Sequence, residues 1–230
     1  LRTFCMGVSA GDMNRDGRLD LYVTSTADQH LLQRYEEGFV EITSTVGLSG
    51  FDENQMLWGA DITDYNNDGY PDIFVATSEL TNLTSTNNLY PVLLYEQNQD
   101  RQFEEVGYQL GLEQETMSRV AIAHDLNNDG IEDLIASSAS RLAHVYLSDG
   151  CTTNNWLHIE GPEGSIVQVV SGTQVWTHLI TRNPGMAASK PRGAHIGLGD
   201  LEEVDFISLR QPWKEPVFLL GPIQSNQRII

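Results

Sequence analysis

A nine-residue acidic pattern, D-x-N-x-D-G-x-x-D, occurs three times in this chain and restricts its fold more than any other feature. The copies are Asp12, Asn14, Asp16, Gly17 and Asp20; Asp64, Asn66, Asp68, Gly69 and Asp72; and Asp125, Asn127, Asp129, Gly130 and Asp133. Their first acids stand 52 and 61 residues apart. Side-chain oxygens at positions 1, 3 and 5 converge when the chain coils tightly, and glycine at position 6 permits the sharp turn. Position 7, here Arg18, Tyr70 and Ile131, offers its backbone carbonyl. Such an oxygen cage suits Ca²⁺, which takes oxygen ligands at about 2.3–2.6 Å. An EF-hand would need Glu at position 12, where this chain has Val23, Val75 and Ala136 in apolar runs. The aspartate at position 9 closes the site instead. One copy alone reads equally well as a plain turn, since Asn, Asp and Gly favour turns. Three copies, each crowding carboxylates that repel one another without a cation, point to about three calcium sites built from the residues at positions 1, 3, 5, 7 and 9.

The flanks repeat as well. Before each loop the chain is small and apolar (Met6-GVSAG, Trp58-GADIT, Val120-AIAH); after it comes a short apolar run (Leu19 to Val23, Ile73 to Ala76, Leu134 to Ala136). Continuous apolar runs of this length suit strands buried on both faces. Further strand candidates follow at Leu31-LQRY, Val92-LLYE and His144-VYL, and a second marker recurs in Phe39-VEITSTVGL and Phe103-EEVGYQLGL. Several strands per unit of about 50 to 60 residues is the mark of a β-propeller blade. Helix is hard to place beyond single turns near Val46 to Leu48 and Leu110 to Leu112.

Met6-GVSAGDMNRDGRLDLYVTS and Trp58-GADITDYNNDGYPDIFVAT resemble the FG-GAP or VCBS repeats of integrin-like β-propellers, across about residues 4–149. The F-x-E-(I/V)…G-L marker is similar to propellers of the cartilage acidic protein and UnbV type. The resemblance implies Ca²⁺ held between the first two strands of each blade. After Cys151 the texture changes: Asn155, Trp156, Leu157, Gly197, Leu198, Gly199, Val204, Asp205 and Trp213 fall in an order similar to an ASPIC/UnbV domain, with Pro212-Trp213 reversed from the usual order. These read as core and turn positions. The expected fold is therefore all-β: a partial β-propeller of FG-GAP/VCBS blades over residues 1–151, then a small β-sandwich-like domain over residues 152–230. Three modules fall short of the roughly four to eight blades of closed propellers, so further blades come from a longer precursor, from other chains, or from the C-terminal region.

With 32 acids against 13 Lys and Arg the formal charge is −19. A polyanion of this kind cannot neutralise phosphates, which argues against nucleic-acid partners, and no apolar run approaches the roughly 18 residues of a membrane-spanning helix. No H-E-x-x-H pair, nucleophile elbow or Walker loop is present, and the six histidines are isolated in sequence. No catalytic residue is assigned. Calcium cages of carboxylate, amide and carbonyl suit millimolar extracellular Ca²⁺ and imply an oxidising compartment, in which Cys5 and Cys151 could clasp the repeat array as a disulfide. Asn82-Leu-Thr84 is an N-glycosylation sequon. The expectation is a secreted, calcium-binding structural or adhesion glycoprotein, non-catalytic, acting on other protein subunits or on matrix and cell-surface ligands, or by self-assembly into a complex or filament. The alternative is an extracellular carbohydrate-active enzyme or lectin with its site on the propeller face.

Overall fold

The computed structural model describes residues 4–26, 28–48, 55–79, 90–114, 117–138, 142–148, 150 and 152–230. Among these the chain is all-β, with eighteen strands in five sheets and one 3-10 turn at Thr43–Val46. The sheets take a propeller arrangement. Among the described residues no helix is long and apolar enough to cross a membrane. The sequon at Asn82 and the cysteine at Cys151 lie outside the described residues; Cys5 opens the first strand and is exposed.

Three sheets are consecutive meanders, one per repeat. The first comprises β1 (Cys5–Gly11), β2 (Asp20–Ser25), β3 (Asp28–Tyr35) and β4 (Gly38–Glu41) in that order. The second comprises β5 (Met56–Thr63), β6 (Asp72–Ser78), β7 (Leu93–Gln97) and β8 (Phe103–Glu105). The third comprises β9 (Ser118–His124), β10 (Asp133–Ser138) and β11 (His144–Tyr146). The register repeats with them: Gly11 faces Asp20, Thr63 faces Asp72 and His124 faces Asp133, so every acidic loop closes the same hairpin.

The apolar runs are buried on both faces because each blade packs on the next. Alternate side chains of β6 enter opposite cores. Ile73 and Val75 join Tyr22, Leu31, Leu57 and Tyr95 against the first blade; Phe74 and Ala76 join Trp58, Ala121, Leu134 and Ala136 against the third. The small residues before each loop have a steric cause. A Cβ on Gly7 would lie 2.8 Å from the Trp58 carbonyl, and one on Gly59 would lie 2.8 Å from the Arg119 carbonyl. Inner strands of successive blades therefore touch backbone to backbone.

The last two sheets break the meander order. One runs β15 (Ala194–Gly199), β12 (Asn155–Ile159), β18 (Gln227–Ile229); the other runs β14 (Gln174–Leu179), β13 (Ile166–Ser171), β16 (Glu203–Arg210), β17 (Val217–Gln224). They share one core containing Leu157, Val167, Val169, Trp176, Ile196 and Leu198, as two sheets packed face to face do. Leu157, Leu198 and Val204 are core residues as expected. Trp213 is not: it is fully exposed, at a turn residue with φ of 61°.

Candidate metal loops and a buried charged chamber

The three acidic loops share one backbone. The fourth residue, Arg15, Asn67 or Asn128, is left-handed with φ of 58°, 57° and 64°. The sixth, Gly17, Gly69 or Gly130, is left-handed with φ of 85°, 87° and 88°, a conformation in which glycine avoids the Cβ penalty. The first aspartate turns inward and accepts the glycine N–H on Oδ2, at 2.8 Å for Asp12, 2.9 Å for Asp64 and 3.1 Å for Asp125. The fifth accepts the N–H of position 7, from Arg18, Tyr70 and Ile131. The Asn at position 3 donates its amide N–H to that same acid, between 2.8 and 3.2 Å away. Position 9 works differently from a plain closing ligand. Asp20, Asp72 and Asp133 each accept the N–H of position 2 on one oxygen and, on the other, an N–H of the blade's outer part: Arg34, Gln97 or Ser148. They clasp the hairpin to the rest of its blade.

These loops hold more negative charge than their surroundings neutralise. Burial pushes the Asp12 and Asp68 carboxyls up, takes Asp20 to about 6, and holds Asp64 and Asp72 well above the usual carboxylate range. Neighbouring acids add to the rise at Asp64 and Asp72. Asp64 Oδ1 is buried with no hydrogen-bond partner, an uncommon state for a buried polar oxygen. The donor set of carboxylate, amide and carbonyl oxygens fits a hard cation. Among the described residues no group of three or more His, Cys, Asp or Glu side chains is placed to hold a metal ion. A cation would have to draw as well on Asn14, Asn66 or Asn127 and on backbone oxygens. Arginines supply part of the positive charge in two loops: Arg228 lies 2.9 Å from the buried first acid of the third loop, on Asp125 Oδ2, and Arg18 lies 3.3 Å from the more exposed fifth-position acid of the first, on Asp16 Oδ2.

The C-terminal sheets cover these loops, a relation that loop spacing does not carry. Gly199 N–H donates to the Asn67 carbonyl at 2.8 Å, and Asn154 donates to the Asn66 carbonyl at 3.0 Å. The Arg15 guanidinium stacks 4.5 Å from the Trp176 ring centroid. A Cβ on Gly130 would enter the Trp156 ring, and one on Gly197 would lie 2.1 Å from Asp64 Oδ2 and 2.5 Å from Asn67 Cα. Gly197→Ala should therefore lift the C-terminal sheets off the second loop. The expected result is a loss of about 2 kcal/mol or more, in line with overpacked cores, read by urea denaturation; an unchanged midpoint would contradict that contact.

Between blades and cap lies a cavity of about 140 Å³. Asp61, Glu132, Lys190, His178 and His195 line it, with Ser9 and Thr177. Lys190 Nζ donates to Asp61 Oδ2 at 2.7 Å and to the Ala123 carbonyl at 3.3 Å. Thr63 donates to Glu132 Oε2 at 2.7 Å. Burial lowers His178 to about 4 and lowers His195 as well, so both rings are neutral near pH 7. No motif marks these groups. Comparison of the repeats does: Asp61 occupies the place of Ser9 and Ile122, and Glu132 that of Leu19 and Pro71.

A family profile for the FG-GAP-like repeat matches residues 12–75 and 64–136, two overlapping windows that each begin on the first aspartate of a loop. A search among curated proteins finds no match.

Proposed function

The chain belongs to the FG-GAP-like repeat family, and from that premise we propose that it is a calcium-stapled structural module whose work is protein–protein assembly outside the cell. The observation that carries this reading is the trio of acidic loops with matching backbone, above all the partnerless Asp64 Oδ1 of the second. Ca²⁺ would be held by Asp12, Asn14 and Asp16, by Asp64, Asn66 and Asp68, and by Asp125, Asn127 and Asp129, with help from position 7 carbonyls and position 9 carboxylates. Its chemistry there is charge compensation and cross-linking of the hairpin. With Ca²⁺ at about 1 mM and a Kd near 0.1 mM, each site adds on the order of 1.4 kcal/mol by mass action. The paired C-terminal sheets, with Leu157, Leu198 and Val204 in their core, support an ASPIC/UnbV-type domain that seals the loops.

Assembly is supported by the outer strand β17. Val217, Phe218, Leu219 and Leu220 are 59, 59, 45 and 78 % exposed on a strand at the margin of its sheet. An edge of this kind offers unpaired backbone groups and apolar side chains to a further strand. Sedimentation of the full chain with Ca²⁺ and with EGTA tests the reading. Species larger than a monomer are expected in Ca²⁺ and are expected to vanish in Leu220→Lys. A monomer under both conditions overturns the assembly half.

A further inference from the structure

The residues of the outer strand β17 restrict what can lie against it. No charged side chain stands between Pro216 and Gln227, although edge strands usually protect themselves with lysine, inward charge or a bulge that turns the edge away. The register shift between Val204 and Phe206 on β16 falls opposite Gly221 and Pro222, past the apolar stretch. Among the described residues no strand pairs with the outer side of β17. Alternate residues of a strand point to opposite faces, so Phe218 and Leu220 share one face and Val217 and Leu219 the other. All four are exposed, while Ile223, further along, is buried in the core of the paired sheets. The apolar stretch therefore overhangs that core.

Two prolines frame the stretch. Pro216 precedes β17 and Pro222 interrupts it, and proline has no N–H to give to a neighbouring strand. Between them the residues Val217 to Gly221 can pair in full. The frame is symmetric, with Leu219 at its centre. An antiparallel neighbour of the same sequence fits it with Leu219 opposite Leu219, Phe218 opposite Leu220 and Val217 opposite Gly221. Side chains directly opposite stand about 4.5–5.5 Å apart at Cβ, so the two Phe218–Leu220 pairs form one apolar cluster. The charges agree with this register. Carried beyond the prolines, it sets Glu215 opposite Ile223 and Lys214 opposite Gln224, whose amide lies 2.9 Å from Glu203 Oε2. A parallel neighbour in step would set Lys214 beside Lys214 and Glu215 beside Glu215, and like charges directly opposite destabilise a strand pair.

Resting on the assembly reading above, we propose that the occupant of this edge is a second copy of the chain, joined β17 to β17 about a two-fold axis through Leu219. Such a contact uses the same patch on both copies and consumes the edge that makes it. It therefore yields a closed dimer rather than a filament, in which two four-stranded sheets become one continuous sheet.

The experiment uses the full chain in millimolar Ca²⁺ and reads sedimentation together with disulfide mapping by mass spectrometry after mild oxidation. The parent chain, with Cys5 and Cys151, sets the background. In Leu219→Cys the two sulfurs meet on the axis, within the roughly 4.4–6.8 Å Cα separation of disulfides, and a covalent dimer linked 219 to 219 is expected. In Val217→Cys the two sites lie four residues out of step, roughly 13 Å along the strand, and the yield should be about tenfold lower. A second pair of variants reads the register without cysteine. Leu220→Lys alone should be monomeric, and adding Phe218→Glu should restore the dimer, because each carboxylate then lies opposite the ammonium of the other copy. Dimers that link at 217 as readily as at 219, or do not link at 219, overturn the two-fold pairing and leave the assembly reading standing; so does a double variant that stays monomeric. A parent chain that is monomeric throughout overturns both.

Discussion

Lys190→Met should cost about 3–5 kcal/mol in urea denaturation at pH 7, the penalty for stranding the partner of a buried ion pair. The Lys190 and Asp61 side chains are 13 % and 4 % exposed, and the ammonium is the one cation on the chamber wall, 2.7 Å from Asp61 Oδ2. Without it, Asp61 and Glu132 share the cavity with neutral histidines. The sign of the pH dependence is fixed by Asp61, whose carboxyl burial holds above its ordinary range. A raised carboxyl penalises the fold above the unfolded-state value and is harmless below it. The deficit of Lys190→Met should therefore shrink as the pH falls toward 4, and adding Asp61→Asn should recover much of it at pH 7. A loss below about 1 kcal/mol, of the size seen for exposed pairs, would show that the pair is not the keystone between blades and cap.

Asp64→Asn should change the sign of its effect with calcium. The wild-type carboxylate accepts the Gly69 N–H on Oδ2 and leaves Oδ1 buried and partnerless. An asparagine can keep the Gly69 bond while placing a neutral amide where the second oxygen stood. In EGTA at pH 7 the variant should be more stable than the wild type by about 1–3 kcal/mol, the relief of an unsatisfied buried group. In millimolar Ca²⁺ it should be less stable, having lost a ligand charge. The folded-state pKa of Asp64 is raised, so the wild-type penalty in EGTA is present at neutral pH and fades as the carboxyl protonates; near pH 4 the two chains should converge. If Asp64→Asn is destabilising by the same amount with and without calcium, the second loop is a turn and no more.

Much of this molecule was legible in its sequence because repetition amplifies local rules. D-x-N-x-D-G located three hairpins whose φ values agree to within a few degrees, and the apolar runs became strands buried on both sides because blades stack. The single turns near Val46 and Leu110 also appear, as the 3-10 turn at Thr43–Val46 and a hydrogen-bonded turn from Val106 to Leu112. The chamber was illegible for the opposite reason. Asp61, Glu132, Lys190 and His195 come from parts of the chain up to 134 positions apart, and each alone is an unremarkable polar residue in a β-rich chain. Only their departure from the sibling repeats marks two of them. Packing of the cap on the loops is a tertiary fact that Gly197 and Gly130 record as missing side chains, and glycine in sequence reads first as a turn. Trp213 shows the limit of motif position, since a tryptophan matched by order in the chain stands wholly in solvent.

The most direct test of the central claim is the calcium content of the folded chain, measured by native mass spectrometry after equilibration at 1 mM Ca²⁺ and again after EGTA. Three ions per chain are expected, one for each D-x-N-x-D-G loop, all removed by chelation together with a fall in melting temperature. The third loop, where Arg228 already faces Asp125, should empty first. A folded chain that carries no calcium at that concentration, and melts identically in EGTA, would contradict the account.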